Sequence, residues 1–200
     1  MIKTVNHKNV YFWSDLHLGH DRDFIWQARG FNSVLEHDET LITKLKELPE
    51  GSVLFSLGDI IFGHQCVERL EAVMSSLKVD EVVLLPGNHT SGFRQLLQKY
   101  GRKFVLAGKR VELLGNYEEI TVAGQPIVLS HYPIISWNGM GRGSFHLFGH
   151  VHGRIPQGLR GGSGFGKMLD VGIESCSSPL AFDELAAIMD AKPFSQIDHH

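Results

Sequence analysis

Histidines, aspartates and an asparagine of metal-ligand type fall in short clusters along the chain: Asp15-Leu16-His17, Gly58-Asp59, Gly87-Asn88-His89, the lone His131, and Gly149-His150-Val151-His152. Imidazole nitrogen mixed with carboxylate and amide oxygen suits divalent transition ions, whereas Mg²⁺ and Ca²⁺ prefer oxygen alone. In Asp15-x-His17 and His150-x-His152 the paired residues are two apart, and on an extended stretch such side chains point the same way. One such pair alone is weak evidence. Two carboxylates, one amide oxygen and four imidazoles gathered at one place make a site for two divalent cations, with His89 to spare.

Most of these clusters directly follow apolar, β-branched or aromatic runs. Val10–Trp13, Val53–Leu57 and Val82–Leu85 read as buried parallel strands that deliver Asp15, Asp59 and Asn88. Between them, residues 38–48 read as a helix with Leu41, Ile42, Leu45 and Leu48 at helical spacing, Asp38 at its N-cap and Pro49-Glu50-Gly51 ending it. A second helix presents Val67, Leu70, Val73, Met74 and Leu77 on one face. This β-α-β-α-β order implies a parallel sheet with right-handed crossovers, whose ligands bind beyond the carboxyl ends of the strands.

The second half changes character. Short strands are expected at 111–114, 119–122, 127–130, 145–148 and 168–171, with a hairpin over 121–127 and a last helix over 182–191 presenting Leu185, Ile188 and Met189. The expected fold class is α/β: two packed mixed β-sheets flanked by helices, in a single domain over residues 1–200. Residues 156–167 read as a flexible Gly-rich surface loop. Gly161 to Met168 nearly matches a phosphate-cradling loop but carries Met168 where a hydroxyl is required, with a strand following rather than a helix.

Composition sets the outer limits. Two hundred residues, 42% hydrophobic and 20% charged, describe an ordinary globular chain, and the net charge of −3 counts against a nucleic-acid-coating role. Cys66 and Cys176 form no paired framework and read as small buried residues of a reducing compartment. With no apolar leader and no run of membrane-spanning length, the expected location is cytoplasmic, without a membrane partner. His199 and His200 carry no functional weight, and oligomeric state is not legible.

The cluster pattern resembles the calcineurin-like metallophosphoesterase superfamily, whose D-x-H, G-D, G-N-H, lone H and G-H-x-H motifs run here from Asp15 to His152 with every ligand position filled. It is closest in flavour to a small phage and bacterial subgroup, in Ser14 to His20, Gly58 to Gly63, Ser130 to Pro133, Gly149 to Gly153, and Asp170-Val171-Gly172-Ile173 followed by Pro179. The resemblance implies a four-layer αββα sandwich. It implies that Asp15, His17 and His152 hold one metal, that Asn88, His131 and His150 hold the other, and that Asp59 bridges both. The implied activity is phosphoester hydrolysis, phosphodiesterase before phosphomonoesterase or nuclease, on a small phosphoester substrate. A hydroxide between the ions would attack in line, with His89 as general acid. Mn²⁺ fits first, with Fe or Zn²⁺ as alternatives. A non-catalytic scaffold is the competing class, set against by the complete ligand set.

Two positions depart from the wider family: Thr90 follows Gly-Asn-His where an acid is common, and Phe62 stands where many relatives have an aspartate that orients the catalytic histidine. His20 and Arg29 are candidate substrate contacts, the latter because a guanidinium fork matches phosphate. Arg142 and Arg154 are weaker candidates. His37, His64 and His146 read as structural or surface residues, and Trp137 as packing.

Overall fold

Strict alternation along the strands sends successive side chains into two different cores. The computed structural model describes residues 3–5, 9–63, 65–154 and 166–193. In chain order its elements are β1 (Lys3–Val5), β2 (Val10–Trp13), α1 (Asp23–Trp26), α2 (Val34–Lys46), β3 (Val53–Ser56), α3 (Cys66–Ser75), β4 (Glu81–Leu84), α4 (Ser91–Tyr100), β5 (Lys103–Leu106), β6 (Lys109–Leu113), β7 (Tyr117–Val122), β8 (Gln125–Ser130), β9 (Phe145–Phe148), β10 (Met168–Asp170), β11 (Leu180–Ala181) and α5 (Phe182–Asp190). One sheet runs β11-β2-β3-β4-β6-β5 and the other β1-β7-β8-β9-β10. The first is parallel through β2, β3, β4 and β6 with antiparallel edges, and the second mixes a β7–β8 hairpin with parallel β8–β9–β10.

Phe12, Phe55, Val83 and Leu85 face Ile120, Val122, Ile127, Leu129 and Leu147 in a core between the sheets, closed at one side by Leu185 and Met189 of α5. On the opposite faces of the same strands, Trp13, Leu54, Val82, Leu84 and Val111 pack under α2, α3 and α4 through Leu41, Leu45, Leu70, Met74 and Leu96. The outer face of the five-stranded sheet is covered more thinly, by Trp137 and Met140 over Val128, Phe148 and Met168. The architecture is a two-sheet α/β sandwich. Among the described residues no helix is long and apolar enough to cross a membrane.

Several local expectations are corrected. The helix expected from Asp38 begins four residues earlier at Val34, because Ser33 accepts the Glu36 N–H at 3.1 Å as the actual N-cap. Asp38 instead accepts the Gly19 N–H at 2.8 Å and ties the helix to the turn after β2. The strand expected at 111–114 corresponds to β6 and pairs in parallel with β4. Ile188 points to solvent, 40% exposed, while Leu185 and Met189 are fully buried. Lys167, placed in the Gly-rich loop, is buried with its ammonium donating to the Met189 carbonyl at 2.9 Å, so it cradles no phosphate. His64, His199, His200 and residues 156–165 of the loop lie outside the described residues.

Candidate metal centre

Each candidate ligand sits just beyond the carboxyl end of a strand: Asp15 and His17 after β2, Asp59 after β3, Asn88 and His89 after β4, His131 after β8, His150 and His152 after β9. Hydrogen bonding continues from the strands into these turns, with the Asp15 N–H donating to Gly58 O at 3.2 Å and the His17 N–H to Asp59 O at 2.8 Å. The backbone then folds back over the rim. Of seven non-glycine residues with positive φ among the described residues, five are Asp15 (60°), His17 (50°), Asp59 (48°), His150 (69°) and His152 (48°). The left-handed region costs a side chain of order 1–3 kcal/mol and concentrates at functional sites. Two glycines make the approach: a Cβ on Gly87 would lie 2.0 Å from Asp59 Oδ1, and one on Gly149 would lie 2.2 Å from Asp15 Oδ2.

Two ligand sets result. The ligand atoms of Asp15, His17 and His152 all lie within 4.8 Å of one another, with His17 Nε2 4.0 Å from Asp15 Oδ1. Atoms ringing one ion at about 2.0–2.2 Å are themselves roughly 3–4 Å apart. Asp15 Oδ1 and both ring nitrogens of His17 are buried without a hydrogen-bond partner among the described residues, which leaves a carboxylate oxygen and an imidazole nitrogen of this set for a bound group. In the second set, Asn88 Oδ1 is approached by His131 Nε2 at 2.9 Å and by His150 Nδ1 at 2.8 Å. His131 Nδ1–H donates to the Leu57 carbonyl at 2.9 Å, which directs Nε2 inward. Asp59 stands between the sets, its Oδ2 3.9 Å from His17 Nε2 and 3.5 Å from His131 Nε2, while Oδ1 accepts the His89 N–H at 2.9 Å.

The protonation of these groups follows from burial. Burial pushes the Asp15 carboxyl up to about 6, and it drives His17 down to about 2, so the imidazole keeps its lone pair. Burial also opposes ionisation of Asp59, but hydrogen bonding and charge from His131 hold that carboxylate below its ordinary range. A centre in which one buried carboxylate resists ionisation and a neutral imidazole faces no partner fits a divalent cation.

His89 lines a cavity of about 570 Å³ together with His17, His150, His152, Phe24 and Arg154. Its ring lies edge-on to His17, Phe62 and His20, with centroids 5.3, 5.1 and 5.6 Å away. Phe62 thus meets His89 through ring packing. His20 is only 4% exposed, its ring centroid lies 3.8 Å from that of Phe62, and it does not line this cavity. Arg29 borders the cavity, yet its guanidinium is 3% exposed and donates to Asp15 O at 2.8 Å and to Glu174 at 2.9 Å. Its guanidinium fork is thus engaged by the chain itself at the rim. Arg142 lies elsewhere, beside Asn138 and Gly139. His37 and His146 are buried and hydrogen-bonded within the chain.

Glu174 escapes a reading of the sequence. Its carboxylate receives His152 Nδ1 at 2.6 Å. The residue that betrays it, Arg29, is 145 positions away. The only local signal is Asp170, whose carboxylate accepts from Gly172 N–H, Ser175 Oγ–H and Gly153 N–H and so shapes the loop that presents Glu174.

No protein-family model matches the chain, and no curated protein matches it. Among solved structures it is similar to the crystal structure of the protein of unknown function AQ665 from Aquifex aeolicus, at 19% identity and a TM-score of 0.65, over 90% of this chain and 98% of that one. That likeness concerns the fold alone.

Proposed function

We propose that this chain is a binuclear metal-dependent phosphoester hydrolase acting first on phosphodiesters. The observation that carries the reading is the convergence of seven ligand-type side chains from five strand ends, with Asp59 between the two sets and buried atoms of Asp15 and His17 facing no protein partner. Asp15, His17 and His152 would hold one cation, Asn88, His131 and His150 the other, and Asp59 both. Two divalent ions bound there supply Lewis acidity and a water acidified toward neutrality.

The chain's own residues do the rest. Only Asp15 and Asp59 bring negative charge to the ligand set, since Asn88 and the imidazoles coordinate without cancelling any. With two divalent ions bound, the ligand set would leave the site positive overall and would favour an anionic phosphoryl group in the cavity. His89, on the cavity wall and fixed by the Phe62 and His17 rings, delivers a proton to the departing ester oxygen. A cavity of about 570 Å³ accommodates a small diester.

The test uses chelator-treated protein reloaded with Mn²⁺ and assayed on bis-p-nitrophenyl phosphate, p-nitrophenyl phosphate and an unactivated alkyl diester. The diesters are expected to turn over faster than the monoester. His89→Ala is expected to keep two ions per chain and lose about 10²–10⁴-fold in rate on the unactivated diester, with a smaller loss on p-nitrophenyl esters, whose leaving group needs no proton. Absence of bound ions, or of turnover on all three substrates, overturns the reading.

A further inference from the structure

The two cation positions of the proposed centre are supported by different parts of the chain. For Asn88, His131 and His150 the support is local: the Leu57 carbonyl fixes His131, and both rings meet on the Asn88 oxygen. For Asp15, His17 and His152 it converges on one ion pair. Arg29 Nη2–H donates to the Asp15 carbonyl at 2.8 Å, and Nη1–H reaches the Leu16 carbonyl at 3.4 Å, so the guanidinium grips the left-handed turn carrying Asp15 and His17. The same guanidinium donates through Nε–H to Glu174 Oε1 at 2.9 Å, and that oxygen also receives His152 Nδ1–H at 2.6 Å.

Both ends of this bridge are anchored. Arg29 Nη1–H also donates to His37 Nε2 at 2.8 Å, while His37 Nδ1–H donates to Asp38 at 2.9 Å, which ties the arginine to α2. The Glu174 loop is held by the three donors on Asp170 and by Trp13 Nε1–H donating to the Cys176 carbonyl at 2.7 Å. A carboxylate on Nδ1–H fixes the tautomer of His152 and leaves Nε2 with its lone pair, the arrangement by which protein carboxylates orient metal-binding imidazoles.

We propose that Arg29 and Glu174 are positioning residues that together hold Asp15, His17 and His152, and so set the affinity of one cation position and not the other. This rests on reading the rim as a binuclear metal centre. It distinguishes the two positions by the protein behind them, since each is otherwise built from three ligands and a shared Asp59.

Chelator-treated protein is titrated with Mn²⁺ and free Mn²⁺ is followed by its electron paramagnetic resonance signal. The wild type is expected to bind two ions. Glu174→Ala is expected to keep one at wild-type affinity and to bind the other about 10–100-fold more weakly. Arg29→Lys, which retains charge but cannot fork between Glu174 and two carbonyls, is expected to weaken the same single event. Glu174→Gln, which keeps an acceptor for His152, is expected to fall between wild type and Glu174→Ala, and it serves if the alanine variant fails to fold. Equal weakening of both ions, as general loosening of the rim produces, overturns the inference; so does a Glu174→Ala titration matching wild type. A wild-type chain that binds no Mn²⁺ instead overturns the metal-centre reading beneath it.

Discussion

His146 gives a test of the fold that is independent of the proposed chemistry. Its ring is wholly buried in β9, its Nδ1–H donating to the Val128 carbonyl at 3.2 Å and its Nε2 accepting the Ile134 N–H at 3.1 Å. The Trp137 and Phe148 rings lie against it, with centroids 5.2 and 5.3 Å away. Every polar atom is satisfied in the neutral form, and a second ring proton would confront the Ile134 N–H in a dry setting. Burial accordingly pushes its pKa from 6.5 down to about 4. As pH falls through that window the unfolded chain takes a proton that the folded one refuses, so stability falls with pH. At about 1.4 kcal/mol per pKa unit, moving from pH 8 to pH 5 costs about 2 kcal/mol through this ring. Urea midpoints measured at both pH values, in chelator, compare wild type with His146→Gln. The variant is less stable at either pH, but that offset cancels in the difference. With a denaturant slope of about 2 kcal/mol per molar urea, the wild-type midpoint is expected to drop about 1 M further than the variant's. Equal pH sensitivity in the two proteins would refute the assignment of His146 as a buried neutral imidazole.

Two further outcomes are expected at the rim. Asp59→Asn removes the carboxylate between the sets and is expected to weaken both Mn²⁺ binding events together, in contrast to the single event lost at Glu174; calorimetric titration reads the difference. Phe62→Ala removes the ring packed 5.1 Å from His89, and it is expected to lower kcat on an unactivated diester about tenfold or more while two ions remain bound. An unchanged kcat in that variant would mean that His89 is oriented by something other than packing.

The strand ends were legible because apolar runs and ligand clusters adjoin in the chain: β2, β3, β4 and β9 deliver their ligands within a few residues of the last buried position. Elements lacking such contrast were not. Helix α4 carries Phe93, Leu96, Leu97 and Tyr100 at helical spacing, but it follows a ligand turn with no apolar run between them to mark its start. β1 is three residues long, and its partner β7 lies more than a hundred positions away, so its pairing has no local signal. The start of α2 is ambiguous in the sequence because Asp38 and Ser33 are both competent caps, and what separates them is the Gly19 N–H, which claims the Asp38 carboxylate from another part of the chain. Arg29 shows the same limit from the other side. Its residue type matched phosphate, yet a carboxylate and two backbone carbonyls compete for the same fork, and only the tertiary fold reveals them.

The positive φ angles at Asp15, His17, Asp59, His150 and His152 bear on how this chain tolerates change. Valine and isoleucine are close to forbidden there on backbone grounds alone, whereas glycine and asparagine are accommodated. A descendant selected for folding alone would therefore drift at these five sites toward glycine or asparagine and keep its path through the rim. Replacement by β-branched residues would dismantle the turns themselves. Backbone conformation by itself thus constrains these five codons, and a deep mutational scan scored only for abundance should already mark them out.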